Sequence, residues 1–339
     1  MKNESTTVRA RSFRKTIFAN MYQVILYYKF AAIEDLKTFW QEHRRHCLFL
    51  NLKGRVYIAK EGINGTVAGL TDDIASYKKY LCSFPGFEDT EFKDDTIDTM
   101  PFVKLIVKQR PEIVSLKTSI PIDPTREKGR HLSSEEWKAT LDTGGDYQIL
   151  DVRNNYESAI GHFEGAILPD VENFYNFPQW LDQAPLDKNK KVLMYCTGGI
   201  RCEKFSLLME KKGFKNVYQL HGGIINYAKE VGDAHYRGKC FVFDDRLAVS
   251  IEENQKEPLS RCAITGTPCD QYLNCANSDC NNLFVCSEEG AKVFEGCCSE
   301  ECLSAQRRRP FDPDNIYTPT RKKYFYQQTR EVTTKKGLK

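Results

Sequence analysis

The sequence predicts a mixed α/β protein built from an α+β unit, a parallel α/β unit and a small cysteine-rich region, and three observations carry that prediction. Residues 21–115 run β-α-β-β-α-β by hydrophobic period, residues 129–235 alternate buried strands with helices, and residues 259–306 hold eight of the thirteen cysteines. A chain of 339 residues is also long for one core and fits two to three domains.

Residues 1–20, rich in Ser, Thr and Arg with little periodicity, read as a disordered extension, with Met21 as a candidate functional start. Arg9, Arg11, Arg14 and Lys15 have the charge of an organellar leader, but Glu4 and a weak apolar face argue against one. Val24 to Phe30 then reads as a strand, Ala32 to His43 as a helix and Arg55 to Lys60 as a strand. Asn64 to Ala68 closes a hairpin, Asp72 to Cys82 reads as a helix and Phe102 to Lys108 as a strand, the order of a ferredoxin-like split βαβ unit. The hairpin segment Lys60-Glu61-Gly62-Ile63-Asn64-Gly65-Thr66 is a candidate binding loop or simply a turn.

Pro111 to Pro124 reads as a connector because Pro121 and Pro124 block a helix. Beyond it, Ser133 to Leu141 has the look of a capped helix, Tyr147 to Val152 and Lys191 to Tyr195 of buried strands, Ile200 to Lys212 of a helix and Val217 to Leu220 of a third strand. Cys240 to Phe243 is a short strand candidate. Such alternation predicts a parallel sheet, whose working site lies at the carboxyl ends of its strands.

Composition narrows the class. The 41% hydrophobic content includes no run of about twenty apolar residues, so no membrane span is expected, and no export leader with a small-residue cleavage site follows Met1. A cytoplasmic protein with reduced thiols is the expectation, and clustered cysteines are then metal ligands or catalytic groups. The net charge of +3 hides an asymmetry. From residue 303 to residue 339 there are ten Lys or Arg against Asp312, Asp314 and Glu331, a net +7 that leaves −4 for the rest. With Tyr317, Tyr324, Phe325 and Tyr326 interleaved, this basic tail, residues 307–339, suits phosphate contact plus base stacking, or is a solvated end.

The chemistry concentrates in Tyr195-Cys196-Thr197-Gly198-Gly199-Ile200-Arg201-Cys202, which follows the apolar run Val192-Leu193-Met194. A cysteine at a strand end, two glycines free to turn their N–H groups inward and an arginine opening a helix make an anion cradle around a thiolate. Cys196 is therefore the candidate nucleophile, with Thr197, Gly198, Gly199, Ile200 and Arg201 as its anion-binding loop. The alternative is one more buried core thiol. A phosphate-sized Cys-x5-Arg cradle needs one residue more than Cys196 to Arg201 supplies, and the six-residue ring suits a smaller centre such as the outer sulfur of a persulfide. Asp151 and Arg153, in Asp151-Val152-Arg153 at another strand end, are candidates to orient the loop or pair with Arg201. His162, in Gly161-His162-Phe163-Glu164-Gly165-Ala166, reads as a structural histidine rather than a base.

The Asp-Val-Arg strand end, the Gly-His-x-x-Gly-Ala segment, the Cys-Thr-Gly-Gly-Ile-Arg loop and His221-Gly222-Gly223-Ile224 together resemble the rhodanese family over about residues 129 to 232. A rhodanese module implies a sulfurtransferase, with Cys196 at the persulfide position and Arg201 stabilising its anion. The whole chain, from about Met21 to Arg309, resembles the rhodanese-related tRNA uridine hydroxylase family. The resemblance rests on a ferredoxin-like, acylphosphatase-like N-terminal domain with Lys-Glu-Gly-Ile-Asn-Gly-Thr, the rhodanese-like centre, then Asn274-Cys275-Ala276-Asn277 and Gly296-Cys297-Cys298-Ser299-Glu300-Glu301-Cys302. It implies an oxidoreductase that converts the wobble uridine of tRNA to 5-hydroxyuridine with O2 as co-substrate, the loop cysteine required.

Oxygen insertion normally draws on a flavin, iron or haem, yet the sequence shows no dinucleotide fingerprint and no two-His-one-carboxylate signature among its six histidines. No organic cofactor is recognisable, and an unidentified electron donor is implied. Two roles for Cys196 stay open: addition to the pyrimidine ring, or carriage of an oxidised sulfur with Cys202 as resolving thiol. Two other functions stand beside hydroxylation, a persulfide-forming sulfurtransferase and a non-enzymatic tRNA-binding adaptor. Cys275-x4-Cys280 with Cys298-x3-Cys302 are four candidate ligands for structural zinc, the alternative being clustered reduced thiols in a small core. The chain departs from its resemblance at Cys262-Ala263-Ile264-Thr265, where related chains often carry a Cys-x2-Cys pair.

Overall fold

The structure is a computed structural model that describes residues 21–251 and 257–317. The basic and aromatic residues beyond Tyr317, and the extension 1–20, lie outside the described residues.

The N-terminal unit comprises β1 (Tyr22–Phe30), α1 (Leu36–Phe49), β2 (Lys53–Ala59), β3 (Gly62–Leu70), α2 (Thr71–Cys82), β4 (Phe92–Ile97) and β5 (Leu105–Gln109). Its five-stranded sheet has the order β4-β1-β3-β2-β5, antiparallel except for the parallel β2–β5 pair. Alternation along β1 divides its residues between two faces. Ile25 and Tyr27 enter a core with Phe39 and Cys47 of α1 and Tyr77 and Leu81 of α2. Leu26 and Tyr28 point to the helix-free face, which meets the next domain.

Three N-terminal expectations are corrected. The first helix begins at Leu36 rather than Ala32, because Ala31 and Ile33 donate their N–H groups to Glu61 and Lys60 and continue the ladder, and Asp35 caps the helix by accepting from the Thr38 N–H at 3.0 Å. The sheet contains a strand the pattern did not disclose, β4, whose sequence Phe92-Lys93-Asp94-Asp95-Thr96-Ile97 is highly charged, as edge strands are. The last strand starts at Leu105, not Phe102.

The central unit contains β6 (Arg130–Leu132), α3 (Ser134–Thr143), β7 (Tyr147–Asp151), α4 (Asn155–Ser158), β8 (Gly161–Phe163), β9 (Ala166–Ile167), α5 (Phe177–Gln183), β10 (Lys191–Tyr195), α6 (Ile200–Lys211), β11 (Asn216–Leu220) and α7 (Gly223–Val231). Ser133 and Glu136 close a capping box on α3. The sheet order is β6-β11-β10-β7-β9, parallel throughout. Phe177 of α5 and Phe205 and Leu208 of α6 cover one face, and Trp137 of α3 and Tyr227 of α7 cover the other, so β10 is central and buried on both sides.

β12 (Tyr236–Phe241), placed earlier than the Cys240 to Phe243 expectation, pairs with β8 and with β13 (Ala248–Ser250). The cysteine-rich region follows with β14 (Tyr272–Asn274), β15 (Leu283–Val285), α8 (Glu288–Val293) and α9 (Glu300–Leu303). The first residues of the basic tail belong to this region. Arg307 pairs with Asp279 at 2.6 Å, Arg308 with Glu295 at 2.8 Å, and Arg309 donates to the Cys275 carbonyl at 2.6 Å. Tyr317 donates its hydroxyl to the Cys286 carbonyl.

Candidate active site

Cys196 follows β10 directly, at the carboxyl end of the central strand, and only 1% of it is exposed. The loop after it turns into α6 through Gly199, whose φ of 103° a side chain rarely adopts, and the Gly199 N–H points back to the Cys196 sulfur at 3.1 Å. Burial alone would push the Cys196 thiol up. The Cys202 S–H, the Arg201 guanidinium and the N–H groups of Arg201 and Cys202 overcome burial and bring it down to about 5. Burial and the hydrogen bond to Cys196 hold the Cys202 thiol well above its ordinary range, so Cys202 is a protonated donor to the thiolate.

Two further elements fix the loop. The first turn of α7 grips it from below: the Ile224 N–H donates to the Cys196 carbonyl at 3.0 Å and the Ile225 N–H to the Thr197 carbonyl at 3.1 Å. Gly223, at φ 69°, is close enough that a Cβ there would stand 2.5 Å from the Cys196 carbonyl oxygen. The N-terminal sheet closes the loop from above, with Leu26 against Gly198 and the Tyr28 hydroxyl against Gly199. Tyr28 also donates to Glu203 at 3.0 Å.

Arg201 does not pair with Asp151 or Arg153. Its guanidinium meets Glu157, fully buried at the start of α4, at 2.5 and 2.8 Å, and Thr197 Oγ1 lies within 3.3 Å of both groups. Asp151 and Arg153 instead bind each other, buried, with Nη2 to Oδ2 at 2.6 Å, and Asp151 accepts the Tyr195 hydroxyl at 2.8 Å. They anchor the strand that carries Cys196 rather than line its cradle. Glu157 escaped sequence reasoning because nothing marks it except being the only acid between Asp151 and Glu164. His162 joins its Nδ1 to the Ser158 carbonyl at 2.9 Å. The hairpin Glu61 has a joining role: with Glu112 it receives the buried Lys204 ammonium of α6, at 2.8 and 2.7 Å.

Above the loop a cleft of about 610 Å³ runs between the two domains, with Cys196, Thr197, Gly198 and Arg201 in its lining. Its size is that of a small-molecule site. Aromatic rings of Tyr28, Tyr57 and Tyr175 line it beside Arg55, Arg110 and Lys117. Arg110 stands 5.2 Å from the Tyr57 ring and Lys117 4.3 Å from that of Tyr175. Among the described residues, none of these three cations is in an ion pair.

In the cysteine-rich region the sulfurs of Cys275, Cys280, Cys298 and Cys302 lie within 4.8 Å of one another, with Cys280 to Cys298 at 3.7 Å and Cys298 to Cys302 at 3.8 Å. Four thiolates about 2.3 Å from a tetrahedral ion stand roughly 3.8 Å apart, so this set can hold a metal ion. No helix among the described residues is long and apolar enough to cross a membrane.

Residues 22–113 match the family model of the UPF0176 acylphosphatase like domain, residues 133–230 the rhodanese-like domain and residues 237–303 the rhodanase C-terminal domain. A rhodanese-like domain protein of Staphylococcus aureus of known structure is 25% identical, with a TM-score of 0.26 over 29% of this chain and 91% of its own. A tRNA uridine(34) hydroxylase of Chlamydia abortus is 42% identical over 315 residues, 91% of this chain and 95% of its own. A tRNA uridine(34) hydroxylase of Enterococcus faecalis is 44% identical over 298 residues, 87% of this chain and 94% of its own. With all three domains in the same order and this identity over nearly the whole length of those relatives, the chain belongs to the tRNA uridine(34) hydroxylase family.

Proposed function

We propose that this chain hydroxylates uridine 34, the wobble uridine of tRNA, to 5-hydroxyuridine, and that the thiolate of Cys196 is the group that meets the base. The observation that carries the reading is the Cys196 sulfur in the lining of a cleft large enough to admit a base, whose walls offer tyrosine rings for stacking and, among the described residues, cations outside any ion pair for phosphates. An anticodon base is single-stranded and can leave its stack to enter such a cleft.

A thiolate adding to C6 of uracil drives electron density to C5, the carbon that takes oxygen. Converting uridine to 5-hydroxyuridine with O2 consumes two electrons and two protons and releases one water. An external electron donor therefore belongs to the proposal, and Cys202, the thiol that donates to Cys196, would be the resolving thiol if the sulfur itself is oxidised. Zinc in the Cys275, Cys280, Cys298 and Cys302 set would take no part in the chemistry and would hold the C-terminal region together.

A second reading, persulfide transfer, is favoured by the six-residue loop and the Gly199 N–H aimed at the sulfur. Nucleoside analysis of tRNA from a deletion strain separates the two. Loss of 5-oxygenated uridine with thiolated nucleosides intact supports hydroxylation, and the opposite pattern supports sulfur transfer.

A further inference from the structure

A second cavity, of about 270 Å³, adjoins the Cys196 cleft where the N-terminal domain meets the cysteine-rich region. Phe102, Tyr272, Asn274 and Phe311 are in its wall, and Arg55 and Phe243 line both cavities.

The fold sets the two shared residues. Arg55 stands opposite Thr66 in the β2–β3 ladder and Thr66 opposite Leu26 in the β3–β1 ladder, so Arg55 leaves the sheet on the face whose Leu26 packs on Gly198. Its side chain is exposed and, among the described residues, in no ion pair or hydrogen bond. Phe243 follows β12 in a turn held at both sides. The Val242 N–H donates to the Leu247 carbonyl at 2.9 Å, and the Asp245 N–H to the Pro101 carbonyl of the N-terminal domain at 2.9 Å. The Phe243 ring meets Phe241 edge to face at 5.3 Å, and Phe241 meets Tyr272 in the same way at 5.6 Å. Phe241 and Tyr272 are buried, yet Phe243 is 43% exposed, and the Arg201 guanidinium stands 6.0 Å from its ring.

A ring braced from behind and open between two cavities is a platform on which a base can stack, and a free guanidinium at the same junction suits a phosphate. We propose that the smaller cavity receives the base of a nucleotide flanking uridine 34, that Phe243 stacks on that base, and that Arg55 binds the phosphate joining the two nucleotides. A free nucleoside would fill one cavity of the two, so the arrangement favours a single-stranded RNA segment over a nucleoside.

The proposal rests on tRNA being the substrate. Its test is the affinity, at fixed salt, of the full-length protein for a synthetic anticodon stem-loop RNA, intact or with the nucleotide on either side of uridine 34 made abasic in turn. Phe243→Ala should weaken binding of the intact loop by about 5- to 150-fold, the worth of one stacked base, and Phe243→Trp should retain it. The parent should bind one of the two abasic loops with a similar loss, and Phe243→Ala should weaken that loop no further. Arg55→Met should lower the slope of log affinity against log salt by ~0.7, the share of one single-strand phosphate. Equal binding of all three loops by the parent overturns the proposal whatever the stability of the variants, and so do additive losses from Phe243→Ala and each abasic site. Tighter binding by Phe243→Ala in the full chain but not in the chain ending at Tyr317 overturns it too, and assigns the cavity to the chain's own aromatic residues 324–326. Failure of the parent to bind any loop overturns the tRNA reading and the proposal together.

Discussion

Glu157 binds Arg201 through both carboxylate oxygens, at 2.5 and 2.8 Å, in a site where the acid is fully buried. The pair fixes the arginine in the first turn of α6 beside the Cys196 loop. Breaking it by Glu157→Ala leaves a buried, uncompensated guanidinium, which should cost about 3–5 kcal/mol. A denaturation midpoint within experimental scatter of the parent would show that the pair is not buried as described.

Gly223 tests how tightly α7 sets the loop. A methyl group there meets the Cys196 carbonyl oxygen at 2.5 Å and the Thr197 carbonyl oxygen at 2.8 Å, at a φ of 69°. Gly223→Ala should leave the protein folded but displace the thiolate, cutting tRNA modification by roughly 10²-fold. Gly232→Ala is the control, since its φ of 75° is similar but a methyl group there would meet nothing within 4 Å among the described residues. Equal activity in the two variants would remove Gly223 from the account.

The charge state of Cys196 predicts a pH profile. With the thiol held down at about 5, the reactive thiolate persists at neutral pH and is lost as pH falls through that value. Alkylation of the Cys196 peptide, followed by mass spectrometry, should be flat from about pH 9 to 7, half-maximal near pH 5 and fall about tenfold for each unit below. A midpoint above about pH 8 would mean an ordinary thiol.

Much of this centre is legible in the sequence, and the parts that are not share a physical cause. Cys196, its glycines and Arg201 stand out because a thiolate cradle is local: strand end, turn and helix start are contiguous. β10 is legible to the residue because a strand buried on both faces reads as an unbroken apolar run. β4 is hidden because an edge strand tolerates charge. Glu157, Tyr28 and Leu26 reach the loop from 40 to 175 residues away in sequence, and only packing brings them there. The basic tail begins later than its composition suggests for the opposite reason, since Arg307, Arg308 and Arg309 look like free charge until Asp279, Glu295 and the Cys275 carbonyl are seen to bind them.

The four-cysteine cluster predicts about one zinc ion per chain in protein purified without chelator. Cys298→Ser, which removes the sulfur that lies near both Cys280 and Cys302, should abolish bound zinc and loosen the small core around Phe284 and Cys286. Metal analysis showing no zinc in the parent protein, with all four thiols titrating freely in the folded state, would rule the site out.

Beyond Tyr317 the chain carries seven Lys or Arg against Glu331 alone. Truncation after Tyr317 should weaken tRNA binding and make its salt dependence shallower, because fewer counterions are released from the RNA. An unchanged slope of log affinity against log salt would leave the tail without an electrostatic part in binding.

The central claim is that Cys196 performs the reaction on uridine 34. Its most direct test is mass spectrometry of tRNA nucleosides from a deletion strain carrying the parent gene or Cys196→Ala, with matched protein levels. The parent should restore 5-hydroxyuridine and its derivatives, and Cys196→Ala should leave them at the level of the deletion. Full restoration by Cys196→Ala would contradict the account.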